Sequence, residues 1–320
     1  MKTNTDYKAA AIWVLFGLIF GLVPILKSSD YQLILANHIL IWGMFAVAFN
    51  MLWGVTGMLS FGQALYYGLG AYAVGLFVKY LGEAWFVLGM GAGLLASIAL
   101  SILVGLLTIR VSGVFFTVLT LAFGQLAWQI TLQWYNFTGG DDGIQSIMPP
   151  GILGDQTVYY YFTLVTVGLS IWFLRRVVNS PMGLLLRCVR QNPERVRFLG
   201  RRVSRNQLRV YVISSFFAAL AGCLMAGVDN SIHPDMLCWT TSGEVILMTV
   251  LGGIGRFFGP FVGATVIMLI QDVVGARTQF WPLIIGVIMM VMVLLLPKGI
   301  VGEFQALRAR LRSPAADDRG

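Results

Sequence analysis

Residues 84–109 read AWFVLGMGAGLLASIALSILVGLLTI, an apolar run with no charged side chain between Glu83 and Arg110. A helix rises about 1.5 Å per residue, so ~20 apolar residues cross a hydrocarbon core ~30 Å thick, and this run is long enough. Apolar segments recur at 9–26, 31–52, 58–80, 112–134, 158–175, 207–228, 242–253, 257–271 and 280–296, divided by polar, Gly or Pro punctuation. Of the 320 residues 58% are hydrophobic and 11% charged, where a soluble domain carries about 25% charged residues. The expected fold is an all-α integral membrane protein, a polytopic bundle of about 8–10 transmembrane helices with a broken or re-entrant segment near 242–271.

Residues 1–302 are expected to form one transmembrane domain with a cytoplasmic loop at 176–206, and 303–320 a basic cytoplasmic tail. The run 9–26 follows Lys2 and Lys8, exceeds a usual signal-peptide core and lacks a small-x-small cleavage pattern. It reads as a retained first span. With the N-terminus in the cytoplasm, Lys27, Lys79 and Arg277 fall outside and the other nineteen of the 22 Lys and Arg residues inside. That is a strong positive-inside bias, and it places the C-terminus in the cytoplasm too. The stretch from Arg175 to Arg209 holds ten arginines, whereas Tyr135 to Thr157 holds Asp141, Asp142 and Asp155 and no basic residue. The net charge of +8 is therefore a topology signal and not a nucleic-acid surface.

Catalysis fails on inventory. There is no Ser/His/Asp arrangement, no HExxH and no carboxylate cluster, so the chain does not read as an enzyme. Cys188, Cys223, Cys238, His38 and His233 are too dispersed for a metal site or a disulfide framework. No Gly-Lys-Ser or Gly-Lys-Thr is present to cradle nucleotide phosphates, so no cofactor is expected on this chain and any ATP is hydrolysed by a partner. Thr241-Ser242-Gly243-Glu244 reads as a capping box, which takes Glu244 away from a proton-relay role.

Some polar and glycine-rich positions keep two readings. Asn50, Gln63, Gln125 and Gln129 sit inside apolar segments, where an amide either ties helices together or meets a polar solute. Gly54, Gly57, Gly62, Gly68, Gly70 and Gly75 serve close helix packing or line a pore. The short segments 242–253 and 257–271, joined by Gly252 to Pro260, are half-helices meeting inside the bundle or a hairpin at its cytoplasmic surface with Arg256 reaching lipid phosphates.

Within the arginine-rich loop, Asn192 can cap a short helix and Pro193 suits its first position. Glu194 favours the positive end, Arg197 falls near the negative end, and Gly200 can stop it. Such a helix, rimmed by Arg187, Arg190, Arg195, Arg201 and Arg202, lies on anionic headgroups or docks on a soluble partner.

Five ordered passages carry a resemblance. They are Asn50-Met51-Leu52-Trp53-Gly54-Val55-Thr56-Gly57-Met58-Leu59-Ser60-Phe61-Gly62-Gln63 with Gly70-Ala71-Tyr72; Val114 through Gly124; Thr138-Gly139-Gly140 with Gly143-Ile144; Asn192-Pro193-Glu194 through Gly200 into Ile213 to Gly222; and Val250 through Gly255 with Gly259-Pro260. From about Leu26 to Gly302 the chain resembles the LivM-type permease subunit of branched-chain amino acid ABC importers. Two departures stand out: Gln63 occupies a position where relatives carry His, and Glu194-Arg195-Val196-Arg197 replaces a run of small residues.

The resemblance implies an importer of branched-chain or other hydrophobic amino acids in a bacterial inner membrane. Its partners would be a second, homologous permease, two ATPase subunits that consume the ATP, a periplasmic substrate-binding protein and the lipid bilayer. Asn192, Pro193, Glu194, Arg197 and Gly200 then map onto the ATPase-coupling loop. Gly57, Ser60, Gln63, Thr117, Thr120 and Gln125 become translocation-path candidates, with hydrophobic walls suited to an aliphatic side chain. Gly139, Gly140, Asp141 and Asp142 become docking candidates for the binding protein. Urea, amide and aromatic-acid permeases share this architecture, so the solute stays open, and an ion-coupled carrier or channel acting alone is the rival class.

Overall fold

The computed structural model describes residues 20–21, 24, 30–277, 280–295 and 299–304. The expected first span at 9–26 and the tail 303–320 lie outside these residues, apart from Phe20, Gly21, Pro24, Glu303 and Phe304. Among the described residues, five helical stretches are long and apolar enough to cross a membrane: Asp30–Val55, Glu83–Thr108, Val114–Gln133, Gln156–Val178 and Val203–Asp229. Helix α1 (Asp30–Asn50) continues through a π-helical turn, Met51–Val55. Then follow α2 (Gln63–Leu81), α3 (Phe86–Thr108), α4 (Val114–Gln133) and α5 (Gln156–Val178). Two short helices, α6 (Pro181–Gln191) and α7 (Pro193–Phe198), lead to α8 (Val203–Asp229). Helices α9 (Trp239–Gly252), α10 (Gly259–Gly275) and α11 (Trp281–Leu295) come next.

Burial divides the bundle into layers. Within an 18-residue apolar window, 78% and 83% of the residues are buried in the stretches containing α1 and α8, against 33%, 22% and 39% in those of α3, α4 and α5. The outer helices turn Leu95, Phe115 and Leu169 outward, a surface that suits hydrocarbon and not water. Lipid gives two apolar helices no hydrophobic reason to associate, so the core relies on close packing of small residues. A Cβ at Gly222 of α8 would lie 1.8 Å from the Tyr67 carbonyl oxygen of α2, and one at Gly70 would lie 2.1 Å from Ala219 O. The two backbones therefore nearly touch, and Cys223 Sγ donates to Gly70 O at 3.3 Å across the seam.

The expected span 58–80 is helical only from Gln63, because Gly57–Gly62 is irregular. The 242–271 region is broken as expected, between Gly252 and Gly259: α9 has 14 residues, short of a full crossing, and α10 has 17, at the lower limit of one. They form an antiparallel hairpin whose arms meet backbone to backbone, Gly263 against Met248 O and Gly252 against Gly259 O. The Thr241–Glu244 capping box does not form. Helix α9 starts three residues earlier, at Trp239, and Thr241 Oγ1 instead donates to Asp235 O at 2.8 Å. The loop helix appears at Pro193–Phe198, with α6 as an addition the sequence did not suggest.

At the end of the bundle away from the arginines, β1 (Ile144–Gln145) pairs antiparallel with β2 (Ser231–Ile232), joining the loops after α4 and α8.

Gly222→Ala is expected to destabilise the fold by about 1–3 kcal/mol or more through forced separation of α2 and α8. Gly168→Ala on α5, where a new Cβ meets nothing within 4 Å, is the matched control. Thermal unfolding of the two purified variants checks this, and equal midpoints would contradict the packing account.

Candidate translocation and coupling site

Gly57 turns the chain out of the π-helical segment with a φ of +81°, a value an L side chain rarely adopts. The chain then runs beside α4. Thr117 Oγ1 donates to Leu59 O at 2.9 Å, and a Cβ at Gly62 would stand 2.5 Å from Thr120 O. The first turn of α2 carries N–H groups with no partner inside the helix, and buried serines meet this region. Ser242 Oγ accepts from Ala64 N at 2.9 Å, and Ser60 Oγ accepts from Gly62 N at 3.2 Å. Ser214 Oγ donates to Ala48 O at 2.9 Å and reaches Gln63 Oε1 at 3.5 Å. Ser60, Gln63, Ser214 and Ser242 are each 0% exposed.

Among the path candidates, Gly57, Ser60, Gln63, Thr117 and Thr120 thus come together on one seam. Gln125 lies further along α4, next to Gly124, whose added Cβ would stand 3.7 Å from the Gly62 Cα. The amide nitrogens of Gln63 and Gln125 are buried and make no hydrogen bond within the described residues. Buried donors of this kind call for an explanation. A cavity of about 410 Å³ adjoins the seam, lined by Thr56, Gly57, Leu59 and Thr117 together with Arg190 and Pro193 from the loop. Gln129 is exposed on the outer face of α4 and does not join the seam.

Arg190 links α6 to this seam. Its Nη1 donates to Gly54 O, and its methylenes lie against Gly57, where a Cβ would come within 3.1 Å of Arg190 Cγ. Gly255, at the tip of the α9–α10 hairpin, stands so that a Cβ would lie 3.4 Å from Arg190 Nη1. Asn50 fastens the same tip to α1: Oδ1 accepts from Gly255 N at 3.0 Å and Nδ2 donates to Arg256 O at 2.9 Å. Of the two readings of Asn50, the tie between helices is the one seen.

The loop itself is capped as the sequence suggested. Asn192 Oδ1 accepts from Glu194 N and Arg195 N, both at 3.1 Å, and Pro193 takes the first helical position. Gly200 ends the turn at φ +74°. Val189, Val196 and Val203 form a small core of their own that holds α6, α7 and the start of α8 together. Phe198 and Leu199, 90% and 79% exposed, project from the end of α7. The sequence reading missed them, because a helix of six residues is too short for apolar periodicity to register.

At the opposite end, Gly139 and Gly140 adopt positive φ, and Asp141 and Asp142 are exposed. Tyr135 OH donates to Asp142 Oδ2 at 3.0 Å, and this hydrogen bond raises the phenol above its ordinary pKa. The two glycines shape the turn, leaving the aspartates as its solvent-facing chemistry. His38 of α1 and Asp229 at the end of α8 pair at 2.7 Å. Reading His38 only as a potential metal ligand hid this contact, since 191 residues separate the partners.

A multi-pass helical bundle with an unwound polar seam and a capped, arginine-rich loop at one end has the build of a membrane transport permease. The chain belongs to the family described as "Branched-chain amino acid transport system / permease component", whose model matches residues 31–296. It is 26% identical to the "High-affinity branched-chain amino acid transport system permease protein LivM" of Escherichia coli, over 83% of this chain and 69% of the relative. Similarity to LivM of Salmonella typhimurium has the same extent. The E. coli permease protein LivH is 21% identical over 82% of this chain and 91% of the relative. No solved structure matches the chain. The resemblance drawn from the five sequence passages is thereby borne out.

Asn50→Ala leaves Gly255 N and Arg256 O without their side-chain partner, an expected loss of about 1–3 kcal/mol. A lowered unfolding midpoint checks this; a midpoint like that of the unaltered protein would show that the hairpin tip is held without Asn50.

Proposed function

We propose that the chain is the transmembrane permease subunit of an ATP-binding cassette importer that carries branched-chain or other hydrophobic amino acids across a bacterial inner membrane. Its arginine-rich end faces the cytoplasm, and its energy comes from two separate ATPase subunits. The observation that carries this reading is the loop. A helix capped by Asn192 and Pro193 presents Phe198 and Leu199 to the exterior, and one helix back Arg190 holds the unwound seam. Exposed apolar side chains on a short rigid helix suit insertion into a groove of a partner.

When the ATPases close on ATP, α7 moves with them through Asn192, Pro193, Glu194, Arg197 and Gly200. Arg190 passes that displacement to Gly54 and Gly57, and the shared tip at Gly255 draws the α9–α10 hairpin along. The seam of Ser60, Gln63, Thr117, Thr120 and Gln125 opens alternately to either side. The weakly buried outer face of α4 supports a homologous second permease as the other wall of the path. Asp141 and Asp142 at the far end are placed to receive a soluble binding protein through charge complementarity.

In proteoliposomes holding the full complex, leucine uptake is expected to require the ATPases and ATP on the side of the arginine loop. Uptake by the permeases alone would overturn the reading in favour of a self-sufficient carrier. Arg190→Ala is expected to cut uptake roughly tenfold, as for the loss of a part-buried charge-assisted hydrogen bond of about 1.5 kcal/mol, while the ATPases still copurify. Phe198→Asp is expected to abolish copurification. Full uptake by both variants would contradict the coupling role of the loop.

A further inference from the structure

Beside the coupling helix lies a separate basin of about 590 Å³, where the end of α3 meets the start of α8. Arg110, Arg197, Arg201, Arg202 and Arg205 line it, and no Asp or Glu does. Among the described residues none of these five guanidinium groups lies within ion-pair reach of a carboxylate. Five like charges around one hollow repel one another, an arrangement that makes sense when an anion offsets them.

The other wall is apolar: Leu106, Ile109 and Leu208. Leu106 belongs to the outward face of α3, with Leu103 and Leu107 exposed beside it. That face runs into the hydrocarbon-facing surface of the bundle. Arg110 follows the last turn of α3 and Arg202 precedes the first residue of α8, so the charges stand at the depth where two spans leave the membrane. Gly105 leaves room for Leu208 beside α3, since a Cβ there would come within 2.6 Å of Leu208 Cδ1.

We propose that this basin is a binding site for the phosphate headgroup of an anionic phospholipid, whose acyl chains lie along Leu106 and the outer face of α3. Planar guanidinium groups bind phosphate oxygens in bidentate fashion, and several of them around one hollow accommodate more than one phosphate. A soluble acidic protein would match the charge but has no use for an apolar wall that continues into the lipid. The site shares Arg197 with the loop, so a bound lipid would brace α7 against α3.

The test is native mass spectrometry of the detergent-solubilised permease–ATPase complex with cardiolipin or phosphatidylglycerol added. Phosphatidylcholine and sn-glycerol 3-phosphate serve as controls. Retention of anionic lipid over phosphatidylcholine is expected, falling about fivefold for each arginine removed in Arg110→Gln and Arg205→Gln. Arg201→Gln, in the loop and outside the spans, provides the same readout should the other variants misfold. Equal retention of phosphatidylcholine, or lipid retention unchanged in all three variants, would overturn the proposal. Binding of glycerol phosphate as tight as that of lipid would assign the basin to a soluble phosphate instead. Loss of the ATPases with anionic lipid still bound would assign it to a protein surface, and so would also overturn it.

Discussion

A chain in hydrocarbon has to satisfy its own backbone, and Gly57–Gly62 is one stretch where this protein leaves helical geometry within its bundle. The surrounding arrangement answers that requirement. Helix α4 supplies Thr117 to the Leu59 carbonyl, and α9 supplies Ser242 to the first turn of α2. Helix α8 supplies Ser214 beside Gln63, on a backbone brought in close by Gly222. A continuous helix here would need none of these side chains.

The unwound segment also gives the fold a place to bend. Gly54 lies in the π-helical turn ahead of it, and π-turns are rare, locally strained and frequent at functional positions. Arg190 holds the Gly54 carbonyl from the loop side, and Asn50 holds the hairpin tip from one turn earlier. One short region of α1 therefore joins the loop, the seam and the hairpin. A displacement of α6 or α7 has a contiguous route into the interior, made of two side chains and the backbone they grip.

Membrane character was legible because it rests on uninterrupted apolar length, a property that needs no tertiary information. The caps at Asn192 and Pro193 were legible for a related reason, as caps are local and bind two or three residues away. The starting point of α2 was not, since Met58, Leu59 and Phe61 are as apolar as a helix interior and only the φ of Gly57 betrays the turn. Thr241-Ser242-Gly243-Glu244 misled because a capping-box pattern scores the same whether it begins a helix or lies within its first turn. Ser242 is instead spent on Ala64, 178 residues away. Arg190 and the His38–Asp229 pair were out of reach for the same cause: their partners are distant in sequence, and no periodicity encodes them.

The most direct measurement is hydrogen–deuterium exchange of the peptide covering residues 56–62 in the full complex, nucleotide-free and trapped with ATP. If the loop drives the seam through Arg190, exchange in this peptide changes with nucleotide state, and in Arg190→Ala that change disappears while the change in α7 persists. Identical exchange in the two states, or a full response without Arg190, would contradict it.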